Sequence, residues 1–272
     1  MKTVTVGDLA LSNTARVTLI SGPCQLESLD HARALADRLV QMTDAVGMGY
    51  VFKASFDKAN RSSLGGARGV GIDEGLTILS KIGAEFGCPV VTDVHAPEQC
   101  APAAEAVDIL QIPAFLCRQT DLLLAAGEPG AAVNVKKGQF LAPWDVQNIV
   151  DKVESTGNER ILLTERGATF GYNMLVSDMR SLPIMARTGY PVVFDATHSV
   201  QLPGGMGTST GGQAEFVPPL ARAAVAVGVG AVFIETHEEP ARSPSDGPNL
   251  GALDDMPGLL VQLRTLDDVV KG

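Results

Sequence analysis

Eight short apolar runs, rich in β-branched residues, constrain this chain more than anything else in it. They are Val17 to Ser21, Tyr50 to Ala54, Pro89 to Asp93, Asp108 to Ile112, Ala132 to Lys136, Ile161 to Glu165, Val192 to Ala196 and Ala231 to Glu235. They recur at roughly 20 to 40 residues, the interval of strand-plus-helix units. Between them lie segments with helical periodicity. His31 to Val46 repeats apolar residues at Ala34, Leu35, Leu39, Val40 and Met42, with Asp30 as its expected N-cap. Asp73 to Phe86, Pro97 to Ala106, Pro143 to Val153, Met179 to Arg187, Pro218 to Val227 and Met256 to Val270 read the same way. Proline at several of these starts suits a first helical turn. Eight such units in 272 residues predict an α/β fold of the (β/α)8 TIM-barrel type. The competitor, an open doubly wound sheet, lacks its Gly-x-Gly-x-x-Gly turn after the first strand. Val4-Thr-Val6 ahead of Gly7-Asp8 predicts a short N-terminal hairpin. No linker or composition break interrupts residues 1–272, so a single barrel domain is expected.

Composition removes several classes of function. A net charge of −10 argues against nucleic acid or an anionic membrane as partner. The longest apolar run, Ala223 to Ile234, is too short to span a bilayer, and the first residues hold no signal-peptide core. The expected location is the cytoplasm. Cys24, Cys88, Cys100 and Cys117 lie far apart without paired spacing, which predicts reduced thiols.

Against this acidic background, Val51 to Ser63 stands out. A strand runs directly into a cationic, hydroxyl-rich segment containing Lys58, Asn60, Arg61, Ser62 and Ser63, and Arg68 follows. Alternation puts Lys53 and Ser55 on one face. Fixed positive charge on a negative molecule focuses small anions, and arginine grips phosphate bidentately. The cluster also falls at a strand's C-terminal end, the edge on which barrels build their sites. Nearly every predicted strand ends in a polar residue. Lys136, Arg166 and Gln111 add donors at the same mouth, while Asp93, Glu165 and Asp195 can neutralise them. The glycine-rich loop from Leu202 to Gly212 reads as a hinged lid, or as the phosphate site that barrels commonly build after strands seven and eight.

A metal set also reads from these ends. Cys24 follows the first strand, His198 the seventh and Glu235 the eighth, with Asp246 in the loop beyond. Strands seven, eight and one are neighbours in a closed barrel. One soft, one borderline and two hard ligands suit Zn, Fe or Mn better than magnesium alone. His95 and His237 are spare candidates.

Long motifs then carry a resemblance. Tyr50-Val-Phe-Lys-Ala-Ser-Phe-Asp-Lys-Ala-Asn-Arg-Ser-Ser63, Gln111-Ile-Pro-Ala-Phe-Leu-Cys-Arg-Gln-Thr-Asp121, Asn134-Val-Lys-Lys137, Glu165-Arg-Gly-Ala-Thr-Phe-Gly-Tyr172 and Phe194-Asp-Ala-Thr-His-Ser-Val-Gln201 occur in this order. Together they resemble the 3-deoxy-D-manno-octulosonate 8-phosphate synthase family from about residue 17 onward. The resemblance implies a homotetramer that condenses phosphoenolpyruvate with D-arabinose 5-phosphate and water, releasing phosphate, on the way to the lipopolysaccharide sugar Kdo. Cysteine rather than asparagine in Ser21-Gly-Pro-Cys-Gln-Leu-Glu27 is similar to the metal-dependent branch, with Cys24, His198, Glu235 and Asp246 as ligands. By the same matching, Lys53, Ser55, Lys58, Gln111, Lys136, Arg166 and His198 would hold phosphoenolpyruvate. Asn60, Arg61, Ser62 and Asp93 would hold the pentose phosphate, and Arg118 would reach the site of a neighbouring subunit. Lys136, His198 and Asp246 carry the implied catalysis. Gly65-Gly66-Ala67 departs from the bulkier polar residues of that loop in the family. Two other activities compete: the sister condensation with erythrose 4-phosphate, and a Schiff-base aldolase through Lys136, whose amine Lys137 would make less basic. A non-catalytic sugar-phosphate receptor is the reading from another class.

Overall fold

The structure is a computed structural model and describes residues 1–61, 63–204 and 211–272. Eight parallel strands form it: β1 (Thr18–Gly22), β2 (Gly49–Lys53), β3 (Val90–Asp93), β4 (Ile109–Ile112), β5 (Ala132–Lys136), β6 (Ile161–Glu165), β7 (Val192–Asp195) and β8 (Ala231–His237). Each pairs with its sequence neighbours, and β8 pairs with both β7 and β1, so the sheet closes into a ring. Closure removes the edges that an open sheet must protect. Their residues are buried almost throughout because helices cover the outside while side chains fill the inside.

The covering helices are α1 (Leu29–Val46), α2 (Ile72–Phe86), α3 (Pro97–Ala106), α4 (Thr120–Gly127), α5 (Gln147–Glu154), α6 (Ser181–Ala186), α7 (Val217–Val227) and α8 (Met256–Lys271). Three details differ from the sequence reading. Ser28, not Asp30, caps α1: its hydroxyl accepts the His31 amide at 3.1 Å, and Asp30 sits in the first turn. There its negative charge meets the positive end of the helix dipole. The run from Pro143 begins as a 3-10 turn, Pro143–Val146, before α5. Helix α4 has no counterpart among the expected helices, because its short apolar run buries Leu122, Leu123 and Ala126 without a clear polar stripe.

Strand β8 runs two residues beyond expectation, to His237, because Gly251–Ala252 pairs with Thr236 and His237. This extension carries chain toward the C-terminal mouth, where the site lies. At the other end the expected hairpin is present, with Val4–Val6 antiparallel to Leu9–Leu11. It rests against the strand starts, Leu9 beside Gly49 and Gly7 beside Pro89.

Candidate active site

Gly22 sets how closely β1 approaches β2. A Cβ at this position would lie 2.1 Å from the Lys53 carbonyl oxygen, so only glycine lets the chain pass and deliver Cys24 to the mouth. Lys53 ends β2 wholly buried, and its ammonium donates to Glu235 at 2.5 Å and to the Cys24 carbonyl at 2.7 Å. Burial opposes ionisation of Glu235, but Lys53, His198, Lys58 and Lys136 outweigh it and hold its pKa well below the ordinary value. Its second oxygen, Oε2, is buried with no hydrogen-bond partner among the described residues.

Around that oxygen stand the expected metal ligands. The Cys24 thiol donates to Asp246 Oδ2 and to Ser245 Oγ, both at 3.2 Å. Burial, reinforced by Glu235 and Asp246, pushes that thiol's pKa far up. Asp246 adopts a left-handed backbone, φ 56°, which aspartate tolerates better than most residues. The ligand atoms of Cys24, Glu235 and Asp246 lie within 4.8 Å of one another. His198 joins them through Glu235, its Nε2 being 3.6 Å from Oε2. Its other ring nitrogen is held by Asp195 at 2.7 Å, and Asp195 also accepts the His198 amide at 2.8 Å. Metal-ligating histidines are commonly fixed by a carboxylate in this way. An orphaned carboxylate oxygen, a thiol, a second carboxylate and an imidazole fixed from behind fit a divalent cation, because once the thiol ionises they have almost no proton to share.

Cations and their partners make the rest of the mouth. Lys136 is bound to Asp195 at 2.7 Å and approaches His198 Nδ1 at 3.3 Å. Asp93 accepts hydrogen bonds from Ser55 and Gln111, and Lys58 lies 3.9 Å away. Burial opposes the charge on Asp93, but Lys53, Lys58 and Lys136 win and depress its pKa strongly. Burial likewise opposes the charge on Lys58, and Cys24, Glu235, Asp93 and Asp246 together raise its pKa instead. Arg166 donates to Gln201 at 2.5 Å, and its buried Nη1 has no partner among the described residues. Arg61 spans Ser245 and Gln25, each at 2.7 Å. Glu165 serves a different cation from the one sequence proximity to the mouth suggests: it faces Lys137 at 3.5 Å and caps the Arg166 and Gly167 amides.

A cavity of about 800 Å³ opens above these groups. Lys58, Asn60, Arg61, Asp93, Lys136, Arg166, His198, Glu235 and Asp246 line it, and the spare histidine His95 does as well. Cys24, Lys53, Ser55 and Gln111 are buried beneath this wall rather than in it. Arg118 is exposed outside the cavity. Ser62 and residues 205–210 of the expected lid lie outside the described residues. The other spare histidine, His237, pairs with Glu27 at 3.0 Å and is not one of the Cys24 group.

The sequence reading passed over a polar chain beneath the floor. Thr164 donates to Asn134 at 2.6 Å, and Asn134 donates to Gln111 at 2.9 Å, which turns the Gln111 amide toward Asp93. Both residues interrupt apolar strands, and a polar side chain buried there requires a partner. That interruption was the available signal. Gln25, Gln201 and Ser245 left none, since each gains its role only from chain brought in by the fold.

A family model described as the DAHP synthetase I family matches residues 3–271. A 2-dehydro-3-deoxyphosphooctonate aldolase of Brucella ovis is 61% identical over 269 residues, spanning 99% of this chain and 97% of that protein. Proteins of the same name from Brucella melitensis biotype 2 and Brucella abortus strain S19 are similar to the same extent.

Proposed function

The chain belongs to the DAHP synthetase I family, and from that membership we propose that it condenses phosphoenolpyruvate with D-arabinose 5-phosphate and water. The products are 3-deoxy-D-manno-octulosonate 8-phosphate, the precursor of the lipopolysaccharide sugar Kdo, and inorganic phosphate. One observation carries the reading: Lys58, Arg61, Lys136 and Arg166 share a single cavity with Asp93 and His198. Glu235 and Asp246 line it too, so four fixed cations face three carboxylates, two of which are assigned to the divalent ion, and this leaves cations for two phosphorylated reactants.

In this reaction carbon 3 of the enol attacks the aldehyde, water adds at carbon 2, and phosphate leaves. Lys136 and Arg166 stabilise the carboxylate and the departing phosphate; Arg166 Nη1 has no hydrogen-bond partner among the described residues. Asn60 and Arg61 hold the pentose phosphate beside Asp93. His198, its Nδ1 fixed by Asp195, presents Nε2 to the reacting centre, and Asp246 serves as the nearby base. Lys53, Ser55 and Gln111 act from below, orienting Glu235 and Asp93. A divalent ion, Zn, Fe or Mn, would be held by Cys24, His198, Glu235 and Asp246. When bound it supplies Lewis acidity to the water or to the aldehyde. Arg118, exposed outside the cavity, would complete the site of a neighbouring subunit in a homotetramer.

The Schiff-base alternative is disfavoured by Lys136 itself, because an ammonium paired with Asp195 at 2.7 Å has no free electron pair for a carbonyl. The test compares aldoses in a phosphate-release assay. Arabinose 5-phosphate should support turnover and erythrose 4-phosphate should support little. A chelator should abolish turnover and an added divalent ion restore it. Equal rates with both aldoses would overturn the substrate assignment, and full activity in chelator would overturn the metal assignment.

A further inference from the structure

Beside the mouth, on the outer side of the β1–α1 junction, lies a second group of potential ligands that the proposed reaction does not use. Glu27 immediately precedes the α1 cap, His31 occupies the first turn of α1, and His237 ends β8. The two imidazoles face each other with centroids 5.0 Å apart and planes tilted by 44°. One carboxylate oxygen, Glu27 Oε1, lies 3.0 Å from His237 Nε2 and 3.8 Å from His31 Nδ1. Glu27, His31 and His237 each offer a ligand atom within 4.8 Å of the others.

His31 is already arranged as a ligand. Its Nε2 meets Glu238 Oε2 at 3.1 Å, which leaves Nδ1 buried, without a hydrogen-bond partner among the described residues, and turned toward Glu27. A carboxylate behind one nitrogen and an idle lone pair on the other is the usual dress of a metal-bound histidine. Donor atoms around a tetrahedral zinc stand about 3.3 Å apart, so the separations of 3.0 Å and 3.8 Å need only small adjustment. His237 must change its tautomer. Its Nδ1 now accepts the Glu239 amide at 2.9 Å, so the ring proton sits on Nε2, toward Glu27. An entering ion takes Nε2, the ring proton passes to Nδ1, and that N–H turns from the Glu239 amide to Glu238 Oε2, 3.6 Å away.

We propose that Glu27, His31 and His237 form a second divalent-cation site, distinct from the Cys24 group, with Glu238 supporting the imidazoles from behind. Two nitrogens and a carboxylate favour zinc, cobalt or ferrous iron over magnesium or calcium. The ion ties the loop that follows Cys24 to the end of the strand that carries Glu235. Its role is therefore to clamp the two chain segments that frame the mouth. The site shares no ligand with the Cys24 group and stands whether or not that group holds an ion.

The experiment is equilibrium dialysis of the metal-free, full-length protein against buffered zinc, with zinc bound per chain as the readout. The wild type should hold two ions, Cys24→Ala one, His31→Ala one, and the double variant none. Zinc should also raise the melting temperature of Cys24→Ala and leave that of the double variant unchanged, provided circular dichroism shows both folded. In the wild type, cobalt adds a check: His31→Gln should remove weak visible bands and leave the near-ultraviolet thiolate band. Equal zinc content in Cys24→Ala and Cys24→Ala/His31→Ala would overturn the second site. One ion in the wild type, lost in His31→Ala and kept in Cys24→Ala, would uphold it and overturn instead the ion assigned to Cys24.

Discussion

At the scale of single residues, the site depends on charges buried together rather than on charges exposed to substrate. Lys53 illustrates this. The family resemblance places it among the groups that would hold phosphoenolpyruvate, and in the structure it lies under the cavity floor, paired with Glu235 at 2.5 Å. Alternation along a strand gives the face on which a side chain stands, not its depth below a cavity. Lys53→Met should therefore act on stability. Leaving Glu235 buried and unpaired should cost about 3 to 5 kcal/mol, read from the urea midpoint, while Lys53→Met/Glu235→Leu should recover much of the loss. A single variant as stable as the wild type would contradict the pairing. Asp93 gives a pH test. Its folded pKa is depressed, so its contribution is complete above the ordinary carboxylate value of 3.8 and is lost as pH falls below that value. Wild-type stability should drop between about pH 5 and pH 2 more steeply than that of Asp93→Asn, and equal slopes would exclude Asp93 as a source. Cys24 shows the limit of reading residues singly. Its partners Ser245 and Asp246 are 221 and 222 positions away, and only ring closure makes them neighbours.

At the scale of elements, strands were easier to read than helix ends. All eight strands follow the apolar runs to within about two residues, because a barrel strand buried on both faces needs a continuous apolar stretch. Helix α4 escaped for the converse reason: in an eight-residue helix, one short apolar run, Leu122 to Ala126, carries little amphipathic period. The α1 cap went to Ser28 rather than Asp30 because capping needs an extended residue at the boundary, and Ser28 has φ −160° and ψ 167°. Where β1 ends, the decisive element feature is Gly22. Gly22→Ala should destabilise by about 3 kcal/mol, at the upper end for overpacking, because backbone rather than a movable side chain blocks the added carbon. It should also displace Cys24, which zinc binding would report. A stable Gly22→Ala protein with unchanged zinc content would show that the strands can separate without consequence.

At the scale of the molecule, closure is what turns a periodic sequence into a site. The recurrence of eight strand-helix units made the barrel legible, and the polar residues after each run made its functional end legible. The sequence held no comparable signal for Gln25, Gln201 and Ser245, or for the pairing of Glu165 with Lys137. The first three gain their roles only from chain brought in by the fold, and the pairing depends on which inward-facing side chains share a layer, a property of register and tilt. The account as a whole rests on the cationic cavity acting on two phosphorylated reactants at once. Its most direct test is a time course of phosphate release with purified protein and a divalent ion. Phosphoenolpyruvate alone should release essentially none. With arabinose 5-phosphate added, each phosphate released should match one molecule of eight-carbon product, and Arg166→Ala should slow this by about a hundredfold or more. Release from phosphoenolpyruvate without the aldose, or none with both present, would contradict the account.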